Sequence, residues 1–371
     1  MRVVQVITSP DGGGAERLVR ELTQRLPEHG IESSAIYFCN PRGVELSPRE
    51  VSLGLRAPRS LLAVPRLRRC LRELTGNGER VVLHSHLTWP LYYAALAGRG
   101  RNVAHVYTEH STHNKRRERP WLRPLERWAY RRFERVVCIS DGTKVALGDW
   151  LDDSALSARM TTIVNGSRML PMIVRKKECG GACRLVSVGS LSPQKGFDVA
   201  LRAVAQLGDR VASYTIVGEG PERDRLEAMV GDFGLQEKVR LPGYCNDVTP
   251  YFHEADLGVI PSRWEGFGLV AVEALSTGLP LVASDVPGLR EVLSPCDAAI
   301  LAKADDVAAL REAIAYGLDN LAGKGAVSES ARSRAEEFTI YAMVARYAEL
   351  YKEVLDGGEK DAGQGEVDYS S

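Results

Sequence analysis

Residues 2–22 read RVVQVITSPDGGGAERLVREL: a β-branched apolar run, a proline and glycine break, then a segment of helical character. Such a run bounded by turn residues reads as a buried strand, and glycines ahead of an amphipathic segment read as a tight strand-to-helix turn. The same unit recurs outward from this stretch. Buried-strand patterns fall at 31–38, 80–87, 102–110, 135–140 and 160–166. A second set follows at 184–190, 213–220, 239–243, 256–262, 279–285 and 298–301, again with helical segments between. Strands alternating with helices predict parallel sheets covered on both faces. The expectation is an α/β protein of two Rossmann-like, doubly wound domains facing a cleft, with ligands beyond the C-terminal ends of the strands.

The chain has 371 residues, which suits two domains of ordinary size. The expected boundaries are 1–170 for a first Rossmann-like domain, 171–183 for a linker, 184–338 for a second Rossmann-like domain, 339–356 for a crossover helix packing back on the first domain, and 357–371 for a disordered tail. No apolar run approaches the roughly 20 residues that span a bilayer. The first apolar run turns to glycine without the hydrophobic stretch of a signal peptide, so the expected location is cytoplasmic, with peripheral contact to the inner membrane face as an extension. Seven scattered cysteines give no disulfide framework, and Cys179 and Cys183 in CGGAC fit a linker better than a metal site. A net charge of zero hides an asymmetry. Residues 1–170 hold 27 Lys+Arg against 17 Asp+Glu, and residues 171–371 hold 21 against 31, so the first half should attract anionic partners.

Four stretches follow strands at once and are candidates for chemistry. Gly12, Gly13 and Gly14 open a helix whose N–H groups could cradle a phosphate, although a tight turn would use them equally. VGSLSPQKGF presents Lys195, suited to phosphate as a point charge or to a solvated surface. GEGPER, with Gly218, lacks the third glycine of a dinucleotide fingerprint, which argues against a nicotinamide enzyme. EGFGLVAVE sets Glu265 before a helix and Glu273 a little over one turn inside it, around Gly266 and Gly268. Carboxylates beside an anion site are unfavourable unless they accept from neutral hydroxyls, and a sugar and a ribose flank a diphosphate with such hydroxyls. A cap and a solvated helix residue are the structural alternative.

EGFGLVAVE resembles the E-x7-E pattern of retaining glycosyltransferases of family four, which have the two-domain GT-B fold. GGGAER, TEHS at 108–111, CISDGTKVAL, VNGSRM, VGSLSPQKGF, GEGPERDRLE and TGLPLVASDVPGLREV support the resemblance in order, over roughly residues 1–355. The resemblance implies transfer of a hexose or N-acetylhexosamine from a UDP or GDP sugar to an acceptor hydroxyl. It implies a donor set of Gly13, Gly14, Ser190, Lys195, Gly218, Glu265, Gly266, Phe267, Gly268, Leu269 and Glu273. In that set Glu265 and the main chain of Gly266–Leu269 contact the hexose, Glu273 holds the ribose, Lys195 pairs with the diphosphate, and Gly14 lets its loop approach it. His110 lies by the anomeric carbon, so the implied catalytic residues are His110, Lys195 and Glu265. Ser190 stands where the family commonly has an arginine, the second diphosphate cation. No unassigned carboxylate stands out for a double displacement, and the resemblance implies a front-face reaction instead.

From Lys115 to Arg135 the chain has nine basic residues and three glutamates interleaved with aromatic and aliphatic ones. Lys115, Arg116, Arg117, Trp121 and Arg123 are the candidates for an acceptor or anionic-membrane face, which would take a lipid-linked sugar or other glycan precursor. The alternative is a helix snorkelling on its own domain, with a small soluble or natural-product acceptor. Competing functions are a nucleotide-sugar epimerase or non-catalytic sugar binder on the same fold, and a metal hydrolase built on His84, His86, His110 and His113. The hydrolase leaves every motif of the second half unexplained. Nucleic acid is not an expected partner, no cofactor beyond the nucleotide sugar is expected, and no metal is expected, since no D-x-D follows a strand.

Overall fold

The computed structural model describes residues 1–41, 43–75, 79–97, 102–174 and 181–362. Residues 175–180 of the expected linker, with Cys179 of CGGAC, and residues 363–371 of the expected tail lie outside the described residues.

The chain forms two α/β units, Met1–Gly166 with Ile340–Ser371, and Ser167–Thr339. Unit 1 carries β1 (Arg2–Ile7), β2 (Glu32–Tyr37), β3 (Glu50–Ser52), β4 (Val81–His86), β5 (Val103–Glu109), β6 (Arg135–Cys138) and β7 (Met160–Thr162). Unit 2 carries β8 (Cys183–Val188), β9 (Val211–Val217), β10 (Val239–Gly243), β11 (Leu257–Ile260), β12 (Leu281–Ser284) and β13 (Ala299–Ala302). The sheet orders are β3-β2-β1-β4-β5-β6-β7 and β10-β9-β8-β11-β12-β13. Both are parallel throughout and reverse winding beside their first strand, the doubly wound pattern. Only β3 escaped the sequence reading. It is a three-residue edge strand, EVS, without an apolar run, held by the ladder Ala35↔Glu50 to Tyr37↔Ser52.

Strand alternation sends successive residues to opposite faces, and the core of unit 1 splits accordingly. Val4, Val6, Val81 and Leu83 face one apolar layer. Val3, Val82, Val106 and Val137 face another, which is filled by Ile340, Met343, Val344, Tyr347, Tyr351 and Val354 of the final helix. Those positions recur at helical spacing, so one apolar stripe buries that helix on the sheet. This return of the chain is why unit 1 is discontinuous in sequence. The final helix runs Ile340–Ala362, past the expected end at 356 and through Gly357 and Gly358, beyond the last apolar residue of its stripe, Leu355.

The segment before 175 is not a free tether. Ile173 N–H donates to Thr277 O at 3.2 Å and Leu170 N–H to Ser276 Oγ at 2.9 Å. Arg332 Nη1 donates to both Leu170 O and Ser276 O at 2.9 Å, fastening the segment to the helix Leu269–Ser276. Among the described residues no helix is long and apolar enough to cross a membrane.

Candidate functional site

In unit 2 the loops after β8, β9 and β11 are tied edge to edge. Leu191 N–H donates to Glu219 O at 2.9 Å, Arg263 N–H to Gln194 O at 2.8 Å, and Gln194 Nε2 to Trp264 O at 3.0 Å. Glycine is required where these loops meet. Gly218 has φ 151°, and a Cβ there would collide with the Gly189 carbonyl oxygen. The result brings Lys195, just after the loop of β8, onto Glu265, just after β11: Lys195 Nζ contacts Glu265 Oε1, which also accepts from Ser262 Oγ at 3.0 Å. The side chains are 18% and 10% exposed, so this is a largely desolvated pair. Lysine and Glu265, read from sequence as clamps on different parts of a ligand, are partners of each other. A ligand that takes both must insert an anion at the ammonium and hydroxyls at the carboxylate.

Gly268 opens the helix Leu269–Ser276 at φ 93°, and that helix start carries no side-chain cap. Its first N–H groups point out of the helix and carry positive dipole character, which suits an anion. Gly288 of the helix Pro287–Leu293 lies against the loop before it, where a Cβ would sit 2.8 Å from Glu265 O. Phe267 is buried and packs edge-to-face on Phe338 with centroids 5.5 Å apart, so this residue offers a ligand its main chain only. Glu273, one turn inside the helix, is 5% exposed and accepts from Arg168 Nε at 3.0 Å. Sequence reasoning missed Arg168. The residue sits in the quoted VNGSRM, but nothing in linear spacing relates it to a helix about a hundred residues on. Ser190 is exposed, with Oγ 3.2 Å from Ser192 Oγ. Arg263, the nearest arginine in sequence to Glu265, is already held by Asp198 at 3.0 Å and Asp305 at 2.8 Å.

In unit 1, Gly13 and Gly14 are exposed at the start of the helix Gly14–Arg25, but Gly13 N–H donates to Glu16 Oε2 at 2.8 Å. A carboxylate of the first turn therefore occupies part of the expected phosphate cradle. Burial raises the Glu16 pKa above the usual carboxylate value.

His110 follows β5 and is half-buried. The register Gln5↔His84 and His86↔Thr108 gathers polar side chains behind it on the face covered by the final helix. His110 Nε2 lies 3.1 Å from His86 Nδ1, and His86 Nε2 lies 2.8 Å from Gln5 Oε1. Gln5 Nε2 donates to Tyr351 Oη at 3.2 Å. Tyr351 Oη is 2.6 Å from His84 Nδ1, and His84 Nε2 is 2.7 Å from Thr108 Oγ1. Burial holds all three imidazoles neutral: it pushes His110 down to about 4, and His84 and His86 well below the usual histidine value. Their neutral, mutually bonded state makes His84, His86 and His110 a packed hydrogen-bonded cluster.

The basic aromatic segment divides between inward and outward groups. Arg116 turns inward to Glu126 at 2.9 Å, and Glu126 also accepts from Tyr92 Oη at 2.9 Å and Trp150 Nε1 at 2.6 Å. Arg117 pairs with Glu109 at 3.1 Å, which accepts from Tyr130 Oη at 2.7 Å. Arg123 lies over the Trp150 ring at 5.1 Å. Arg116 and Arg117 are thus internal counter-ions, because buried carboxylates on β5 and on the helix Arg123–Tyr130 need partners. Lys115 and Trp121 do face outward, Trp121 with 71% exposure.

Residues 12–166 match the family described as Glycosyltransferase Family 4, and residues 175–334 match Glycosyl transferases group 1. The D-inositol 3-phosphate glycosyltransferase of Thermobispora bispora is 28% identical over 95% of this chain and 94% of its own. The 2-deoxystreptamine glucosyltransferase of Streptomyces kanamyceticus is 28% identical over 72% of this chain and 75% of its own. The solved sucrose-phosphate synthase of Thermosynechococcus elongatus superimposes with TM-score 0.80 at 21% identity, covering 96% of this chain and 99% of that one.

Proposed function

Because the chain belongs to the glycosyltransferases of family four, with the GT-B fold, we propose that it moves a hexose or N-acetylhexosamine from a UDP or GDP sugar to an acceptor hydroxyl with retention at the anomeric carbon. The observation that carries this reading is the pairing of half-buried Lys195 with buried Glu265 beside an uncapped helix start, with buried Glu273 one turn inside. The helix start and Lys195 offer positive charge to a diphosphate, and the two carboxylates accept from hydroxyls on either side of it. This charge serves the diphosphate without a divalent cation, so the reaction should run unchanged in EDTA.

In the front-face reaction the bond from the anomeric carbon to the phosphate oxygen breaks and the acceptor oxygen bonds to the same face of that carbon. The acceptor proton passes to the departing phosphate oxygen. The protein's contribution is positioning and stabilisation of the developing phosphate charge.

Two acceptor classes fit the charge of the first half: a lipid-linked saccharide or cell-envelope glycan precursor on an anionic membrane, and a small soluble acceptor. The inward turn of Arg116 and Arg117 favours the second, as do the two relatives whose names give a soluble acceptor, D-inositol 3-phosphate and 2-deoxystreptamine. Lys115 and Trp121 are the outward groups that support the first.

A thermal-shift panel of UDP and GDP sugars tests the donor, since a ligand bound only by the folded state raises its melting temperature. Glu273→Gln should raise donor KM and Lys195→Ala should depress turnover. Near-wild-type kinetics in both would overturn the assignment. Vesicles of phosphatidylcholine and phosphatidylglycerol separate the acceptor classes by co-sedimentation.

A further inference from the structure

The layer between the unit 1 sheet and its final helix is built on an apolar cluster and holds a polar island. Gln5, His84, His86, Thr108, Tyr347 and Tyr351 in that layer are each 0% exposed. Burying so much polar surface is unfavourable unless every group is bonded, and leucine or valine at these positions would fill the layer without that demand. Here the groups are bonded as a chain, and its outer end is His110. Both ring nitrogens of His84 and of His86 have partners; His110 Nδ1 has none among the described residues.

The chain has a direction. Gln5 turns its amide oxygen to His86 and its NH2 to Tyr351. An amide oxygen only accepts, so His86 carries its proton on Nε2 and presents a bare Nδ1. Opposite that lone pair, His110 must donate from Nε2, and its own Nδ1 is bare. On the other branch Tyr351 accepts from Gln5 and gives its single proton to His84 Nδ1, so His84 donates from Nε2 to Thr108. Thr108 Oγ1 lies 3.2 Å from Tyr347 Oη, which takes the last proton.

We propose that Gln5, His86 and Tyr351 are positioning residues that hold His110 as its Nε2–H tautomer, so that Nδ1 is an acceptor for a hydroxyl of the transferred sugar. The inference rests on the proposed glycosyl transfer, with His110 by the anomeric carbon as the family resemblance implies. Its reach is longer than that reading, because the chemistry of His110 is set by a tyrosine on the final helix, some 240 residues on in the sequence.

The test is a two-bond proton–nitrogen NMR spectrum of the full chain labelled with 15N-histidine, at about pH 7.5, assigned with His110→Ala. His110 should show a protonated Nε2 and a bare Nδ1. Tyr351→Phe and His86→Leu should average the two nitrogens and lower kcat by about ten-fold, the order seen for outer-shell partners elsewhere, with donor KM little changed. His86→Gln should restore both, since its amide can accept from His110 and donate to Gln5. A wild-type His110 protonated on Nδ1 overturns the proposal, as does a tautomer indifferent to Tyr351→Phe and His86→Leu. Should those variants fail to fold, the wild-type spectrum still decides the polarity. Unchanged turnover in His110→Ala would instead overturn the placement of His110 at the sugar, an outcome the spectrum does not share.

Discussion

Acidification should unfold unit 1 well before its carboxylates titrate. His110 drops from the ordinary 6.5 to about 4 on folding, through burial, and His84 and His86 drop further. The unfolded chain therefore binds these protons when the folded one does not, and stability rises with pH in that window. It is fully present above about 6.5 and is lost as pH falls towards about 4. At pH 5 each imidazole contributes about 2 kcal/mol against the folded state, so the three together contribute on the order of 6 kcal/mol. Asp153 and Glu50, held low by their partners, lose their contribution only as pH falls through the carboxylate range and below, and Glu16, raised by burial, opposes the trend with one group. A loss of that size is a large fraction of a domain's total stability. Urea unfolding followed by tryptophan fluorescence reads it, because Trp89, Trp121, Trp128 and Trp150 lie in unit 1 and Trp264 alone in unit 2. With a slope of about 3 kcal/mol per molar, the midpoint should fall by about 2 M between pH 7.5 and 5. His84→Gln should lessen that fall by about a third. A midpoint that stays within a few tenths of a molar would refute the buried neutral network.

Three further outcomes follow from the same geometry. Glu126→Ala strips Arg116, Tyr92 and Trp150 of one shared acceptor and leaves a desolvated guanidinium, which should cost about 3–5 kcal/mol in urea unfolding. Gly268→Ala forces a left-handed residue at φ 93° and sets a methyl 2.7 Å from Leu289 Cδ2; a loss of about 1–3 kcal/mol is expected, with weakened nucleotide-sugar binding in calorimetry. Arg168→Ala takes a partner from the buried Glu273 carboxylate, so the melting temperature should fall by the equivalent of about 1–3 kcal/mol. Donor KM should also rise, because Glu273 loses the group that orients its carboxylate.

The fold was legible because its signal is local. Runs such as RVVQVI and VVLHSH are buried along their length, and each is followed by a helix within a few residues, so periodicity alone places them in covered parallel sheets. The edge strand Glu50–Ser52 was not, because pairing with β2 rather than any apolar pattern makes it a strand. The glycines of EGFG were legible for a related reason: a strand that must turn at once into a helix needs positive φ, and Gly268 supplies it.

The site was legible only where one segment carries it. Glu265 and Glu273 stand on one loop and helix, and their spacing is visible in nine letters. The pairing of Glu265 with Lys195 and of Glu273 with Arg168 joins segments far apart, and charge counting reads such groups as free. The same blindness leaves Arg116 and Arg117, in the segment from Lys115 to Arg135, counted as free cations. The buried Glu109 and Glu126 that claim them lie on opposite sides of the strand-to-helix connection. The histidines show the limit most clearly. The H-x-H of His84 and His86 suggests metal ligation or packing when only spacing is known, and the deciding partners, Gln5 and Tyr351, come from the two ends of the chain. A polar residue in a predicted core strand is thus a statement about a partner elsewhere. Where that partner sits on the helix that closes the domain, folding of the C-terminal segment and the protonation state of His110 become one event.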